Sequence, residues 1–262
     1  MKRLLFIPIL FLALTTLAQK KGKQQEEEQP RDVKHLDLLM YYMDGEFDKC
    51  LKKSLSVTED EEFSKDALPY LYVSMSYFEM SFLDQYKEKY PEALKEALKY
   101  AVKYRKKDEK NSLKQGLSEP EFWQENQEFF AKLRKTTKQE AEKMLDENKL
   151  SKAENYYKQI TAFDPSDYSA WYMQAYLYLV KNDTLNANKL LPNFQTEIKK
   201  VSDFASEPED KFVLLKYGYK EYAKFFINQG RTDLGKKTME ELKAYIGKDP
   251  EIEAFVVEKK LD

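Results

Sequence analysis

The chain has one histidine, His35, and one cysteine, Cys50. A multi-histidine metal site is therefore excluded, as are an intramolecular disulfide and a cysteine-rich zinc site. Any Ser–His–Asp or Cys–His catalytic set would have to use His35. Glycine is scarce, with 7 residues in 262, less than half the usual level of about 7%. That scarcity argues against a glycine-rich β protein. No G-x-G-x-x-G, G-x-x-x-x-G-K or G-x-S-x-G motif occurs, so no phosphate-cradling loop or nucleophile elbow is expected. No charge of one sign dominates: 44 basic against 46 acidic residues leave a net charge of −2. The basic footprint of a nucleic-acid-binding protein is absent. Paired carboxylates for glycoside chemistry are not excluded by composition, because acidic residues are spread along the whole chain.

Hydrophobic residues make up 42% and charged residues 34%, the balance of a folded globular chain. The length fits one or two globular units. The N-terminus reads as an export signal over residues 1–18. Lys2 and Arg3 precede an apolar run over 4–14, and Thr16 and Ala18 stand where a signal peptidase reads small residues. The run is shorter than the roughly 20 residues that span a bilayer. No cysteine lies near that cleavage site, so a bacterial lipoprotein is not expected. Cleavage near Ala18 would place the mature chain in the periplasm or outside the cell, with no integral membrane span. Residues 19–32 are polar and lack apolar periodicity, which reads as a flexible linker. Cys50 would then be an odd thiol in an oxidising space, read here as a small core residue.

From residue 33 to 262 the pattern is all-α, with apolar residues three and four apart. It also repeats. Trp171, Ala175, Tyr178, Asn182, Ala187 and Leu191 are separated by 4, 3, 4, 5 and 4 residues. Tyr219, Ala223, Phe226, Gly230, Gly235 and Met239 follow the same gaps. Met144, Asn148, Ala153 and Tyr157 match in part, as do Tyr41, Gly45 and Cys50, and Tyr70, Ser74 and Tyr77. Ala153 and Ala187 are 34 residues apart. An aromatic, a small residue and a second aromatic on one helix face let a second helix dock closely. Glycine or asparagine then ends the first helix in the left-handed conformation. Ser166 or Asp167, after Asp164-Pro165, is a candidate N-cap.

These residues resemble the tetratricopeptide repeat, a 34-residue helix–turn–helix unit. The stretch 134–191 matches best, 216–239 nearly as well, and 33–58 and 67–105 more loosely. The resemblance implies a helical solenoid of antiparallel pairs, four to five degenerate repeats in all. Lys34 and Thr137 depart from it, standing where a large aromatic is expected. About seven residues too many precede the second helix expected over 91–104. The pairs opening at Tyr168 and Lys216 are 14 residues further apart than one period, with Pro192 and 202–210 placed in the excess. Residues 106–133 carry no clear repeat, although Phe122, Trp123, Phe129, Phe130 and Leu133 suit one amphipathic helix. Lys103, Arg105, Lys106 and Lys107 read as a basic helix end complementing the dipole, the alternative being contact with an acidic partner.

In this family ligands lie along the first helices of successive pairs. Carried over by register, that implies a partner-binding face of Tyr72, Met75 and Phe78, then Tyr172, Met173 and Tyr176, then Lys220, Lys224 and Asn228. Tyrosines suit peptide recognition, and Lys220 and Lys224 share a face that a carboxylate could meet. The family's carboxylate clamp is not reproduced, since Lys138 is followed by Glu142 where asparagine would be needed. The expectation is a non-catalytic, cofactor-free scaffold or adaptor binding an envelope protein, peptide or partner helix. Two other readings stay open. One is a glycan-binding or glycan-processing protein. The other is an envelope structural protein that self-associates through its terminal repeats, Phe255, Val256 and Val257 included.

Overall fold

A computed structural model describes residues 35–117 and 119–261. The expected signal peptide and linker lie outside the described residues. Among the described residues the apolar spacing produces twelve helices and no strand. They are α1 (Leu36–Met43), α2 (Phe47–Glu59), α3 (Leu68–Met80), the single turn α4 (Asp84–Lys87), α5 (Ala93–Lys114) and α6 (Gln127–Asp146). The second half holds α7 (Leu150–Phe163), α8 (Tyr168–Val180), α9 (Thr184–Ile198), α10 (Glu209–Asn228), α11 (Thr232–Ile246) and α12 (Pro250–Glu258). Helices pack in pairs: α1 on α2, α3 on α5, α6 on α7, α8 on α9 and α10 on α11. Further contacts of α3 with α1 and α2, α7 with α5 and α8, and α8 with α10 join the pairs, and α12 closes on α11.

The turns inside four of these pairs share one cause. Gly45, Asn148, Asn182 and Gly230 have φ of 73°, 55°, 61° and 74°. At each, the next residue's N–H reaches back to close the helix. Glu46 donates to the Tyr41 carbonyl at 2.9 Å, Lys149 to Met144 at 2.7 Å, Asp183 to Tyr178 at 2.8 Å and Arg231 to Phe226 at 2.9 Å. These bonds satisfy carbonyls a helix end would otherwise leave unpaired. A side chain at Gly230 would meet nothing within 4 Å. Gly230→Ala is therefore expected to cost only backbone strain, about 1 kcal/mol in urea unfolding. Gly230→Asn should cost less, because asparagine already holds this conformation at 148 and 182. Equal losses for the two variants would refute that account.

Small residues sit where paired helices approach. Cys50, Ala153 and Ala187 are fully buried. A Cβ on Gly235 would lie 3.0 Å from Ile227 Cγ1 and 3.2 Å from the Ala223 carbonyl oxygen. The Cys50 thiol donates to the Leu38 carbonyl at 3.4 Å, and burial pushes its pKa up, which keeps it a neutral thiol. One aromatic core gathers Tyr104, Phe130, Tyr157 and Phe163, and a second gathers Tyr172, Phe194, Tyr219 and Met239.

Several boundaries differ from the sequence expectation. The surplus before the second helix of the α3 pair is taken up by α4 and its flanking turns. Helix α9 runs through Pro192, whose missing N–H falls on an exposed position while Phe194 and Ile198 stay anchored in the core. Helix α10 opens at Glu209, nearly two turns before Lys216. Residues 122–133 do not form one helix. Helix α5 continues to Lys114, and Phe122 and Trp123 precede α6, which carries Phe129, Phe130 and Leu133. The basic cluster is therefore inside a helix rather than at its end. Lys103 lies 4.3 Å over the Tyr100 ring and Arg105 4.6 Å over Trp123. Lys107 lies 4.5 Å over Tyr70 and donates to the Ser64 carbonyl at 2.6 Å.

Candidate functional site

The nine residues of the expected face do not form one open surface. Tyr72 and Met75 on α3 are half-buried, but Phe78 is buried, with Phe129 edge-on at 5.7 Å. Tyr172 and Met173 on α8 are also buried. Gly218 is the reason, because it lets α10 close onto α8. A Cβ there would be 2.9 Å from both Met173 Sδ and Tyr172 Cδ1. The Tyr172 ring stacks on Tyr219 at 4.2 Å and 7°. Phe78, Tyr172 and Met173 are thus core residues, and only Tyr176 of the α8 trio is partly open.

The lysine stripe is also engaged within the chain. Helix α12 brings Glu251 to Lys220 and, at 2.7 Å, to Lys216, which also meets Asp249 at 3.2 Å. Lys224 pairs with Glu221 at 2.7 Å, and Asn228 is exposed. The carboxylates facing these lysines come from the protein itself. The same helix buries Phe255 and Val256 and leaves Val257 exposed, so no three-residue apolar patch is open at this end.

Sequence reasoning missed a buried ion network joining α6, the α7–α8 turn and α10. Arg134 donates to Asp164 at 2.9 Å and, through two nitrogens, to Asp210 at 2.7 and 3.0 Å. Lys138 meets Asp167 at 2.7 Å and Asp210 at 2.9 Å, and donates to Ser169 Oγ at 3.1 Å. Lys211 donates to Ser166 Oγ at 3.1 Å and lies 3.8 Å from Asp164. Three cations thus meet three carboxylates. Asp167 also caps α8, accepting from the Ala170 N–H at 2.9 Å. Despite burial, the cations Lys138, Lys211 and Arg134 hold the Asp167 carboxyl well below the usual carboxylate range. Asp210 is lowered in the same way, through Arg134 and Lys138. The early start of α10 is what carries Asp210 to α6. Lys138 is spent here and is not free for a ligand carboxylate.

Beyond this network, α6, α8 and α10 carry a set of partly or fully exposed tyrosines and carboxylates. It holds Glu142 and Asp146 of α6, Tyr176 of α8, and Tyr217 and Glu221 of α10. All are exposed or half-buried. Burial and the nearby Glu221 push Tyr176 up to about 12. Tyr217 is raised by burial and then by Glu221, Tyr176, Asp146 and Glu142. Tyr217, Glu142 and Asp146 were absent from the expected face, which followed one helix register at a time.

A cleft of about 720 Å³ runs beside the network, lined by Arg105, Trp123, Gln127, Arg134, Asp164 and Lys211. The Trp123 ring packs on Phe130 at 4.3 Å and lies 4.6 Å from the Arg105 guanidinium. Among the described residues no helix is long and apolar enough to cross a membrane, and no group of three His, Cys, Asp or Glu could hold a metal ion. Comparison with protein-family models, curated proteins and solved structures finds no match to this chain.

Proposed function

We propose that the protein is an exported, non-catalytic scaffold of tetratricopeptide-like helix pairs that binds an envelope protein or peptide along its first helices. The observation that carries the reading is the pair of partly open tyrosines Tyr176 on α8 and Tyr217 on α10, together with the exposed carboxylates of α6, on three successive first helices. The shared Gly and Asn turns and the buried small residues support the repeat architecture. Stacked pairs of this kind present an extended face suited to a peptide or partner helix. The mechanism is rigid display, with no bond made or broken. Export rests on the N-terminal pattern of charge, apolar run and small residues.

A second reading, self-association, is favoured by one feature. Leu36, Met40 and Met43 form an exposed apolar stripe on α1. In-cell crosslinking separates the two. A photo-reactive residue replacing Tyr176 is expected to capture one stoichiometric envelope protein, while one replacing Lys189 on α9 is not. Capture of only further copies of the chain would replace the scaffold reading by self-association. Equal capture at both positions would refute a specific face.

A further inference from the structure

We propose that the cleft between α5, α6 and the start of α10 binds a compact carboxylate, with Arg105 as its anchoring side chain. The site uses neither Tyr176 nor Tyr217, so it stands or falls independently of the scaffold reading.

The walls follow from helical spacing. Arg105, Glu109 and Ser112 lie four and then three residues apart and share one face of α5. Gln127, Ala131 and Arg134 have the same spacing on α6. Both faces line the cleft, as do Ser166 of the α7–α8 turn and Lys211 of α10. Ring contacts tie the two walls together. The Arg105 guanidinium lies 4.6 Å over the Trp123 ring, Trp123 stacks on Phe130 at 4.3 Å, and Phe130 is one turn before Arg134 on α6. The volume of about 720 Å³ falls within the roughly 300–1,000 Å³ of small-ligand sites.

Arg105 is the cation of this cleft that the chain leaves unpaired. Among the described residues it makes no ion pair or hydrogen bond, and its Nε–H is buried without a partner. A guanidinium offers five N–H donors, and leaving a buried one unmade is costly. The Trp123 ring fixes the guanidinium without consuming a donor. Lys211 is a second under-used cation. It is only 7% exposed, donates to Ser166 Oγ at 3.1 Å, and has the Asp164 carboxylate no closer than 3.8 Å. The carboxylates lining the cleft are mostly occupied: Asp164 by Arg134 at 2.9 Å, Glu128 by Lys132 at 2.7 Å and Glu197 by Lys200 at 2.7 Å. Glu109 and Glu119 have no cation partner, and both are exposed.

A carboxylate fits each part. The guanidinium takes it through two parallel N–H bonds, and the Lys211 ammonium adds charge. The exposed Glu109 and Glu119 repel a doubly charged phosphate more than a single charge, which favours a compact monoanion. Leu117, Pro120 and Pro165 line the same cleft and receive the apolar body that carries the group. A small organic acid and an aspartate or glutamate side chain of a partner present the same chemistry here.

The test uses dansylglycine, read by dansyl fluorescence on titration with the purified protein. Dansylglycine is expected to bind, and dansylglycinamide, which lacks the charge, at least about tenfold more weakly. Arg105→Gln should weaken dansylglycine by about tenfold. Arg105→Lys keeps the charge but not the fork and should fall between that variant and the parent. Lys152→Gln removes an exposed lysine of α7 outside the cleft and should change affinity less than about twofold. Acetate should displace the probe more effectively than inorganic phosphate at the same concentration. A dansylated, C-terminally amidated glycine–serine heptapeptide with one internal aspartate separates the sources. Tighter binding of the peptide assigns the site to a protein ligand, and tighter binding of dansylglycine to a free acid. Failure of both carboxylates to bind would overturn the proposal. So would equal binding of acid and amide, equal losses in Arg105→Gln and Lys152→Gln, or stronger displacement by phosphate.

Discussion

Asp167→Asn is expected to cost about 3–5 kcal/mol of folding stability, measured by urea unfolding followed by circular dichroism. Asp167 is fully buried and lies 2.7 Å from Lys138 and 3.5 Å from Arg134. Both cations are themselves buried, so removing this carboxylate charge leaves three buried cations, with Lys211, facing only Asp164 and Asp210. Asparagine keeps the cap on α8, which separates the charge effect from a lost cap worth about 1 kcal/mol. A loss below about 1 kcal/mol would mean that water screens the network as it does a surface pair. Acid should act in the same direction. Asp167 and Asp210 titrate lower in the folded protein than the roughly 3.9 of a free aspartate. Their contribution is complete above that unfolded value and is lost as pH falls towards the folded values. The parent should therefore lose stability steeply below about pH 4, and Asp167→Asn should lose less over that range. Parallel pH profiles would remove the network from the account.

Phe130→Ala is expected to cost a similar amount, about 3–5 kcal/mol. The ring is fully buried on α6 and lies 5.4 Å from Tyr104 of α5, 4.3 Å from Trp123 and 6.0 Å from Phe163 of α7. One side chain thus joins two helix pairs and the segment between them. Phe82→Ala provides the contrast, since Phe82 is 55% exposed and should cost less than about 1 kcal/mol. Trp123 reports the event directly. Losing its stacked neighbour should shift its fluorescence to longer wavelength before the global transition. A loss like that of Phe82→Ala would show that the neighbours collapse into the space.

The helix class was legible in the sequence because it rests on local periodicity. So were the four turns, since a left-handed residue is chosen by chemistry within a few positions: Gly45, Asn148, Asn182 and Gly230. The N-cap of α8 was legible for the same reason, an aspartate directly ahead of an apolar helical run. The small residues that admit a second helix, Ala153, Ala187 and Gly235 among them, follow from the same spacing.

The surface was much less legible. Register separated the inner from the outer face of each first helix, but could not tell how closely the next helix approached. Tyr172 and Met173 are buried because Gly218, more than 40 residues downstream, lets α10 close on α8. Lys220 of α10 looked open because α12 lies outside its own repeat, and Glu251 of α12 pairs with it and with Lys216. The ion network left no local trace either. Arg134, Asp164 and Asp210 are ordinary charged residues in sequence, and only the early start of α10 brings them together.

The sequence by itself determined the helices, their ends and the small contacts inside each pair, because those depend on neighbours within a few residues. Only the tertiary structure decided which tyrosines stay open, which lysines are neutralised and where six charges meet inside the protein. The pairings of this network join side chains 29 to 76 positions apart, and no local period encodes them.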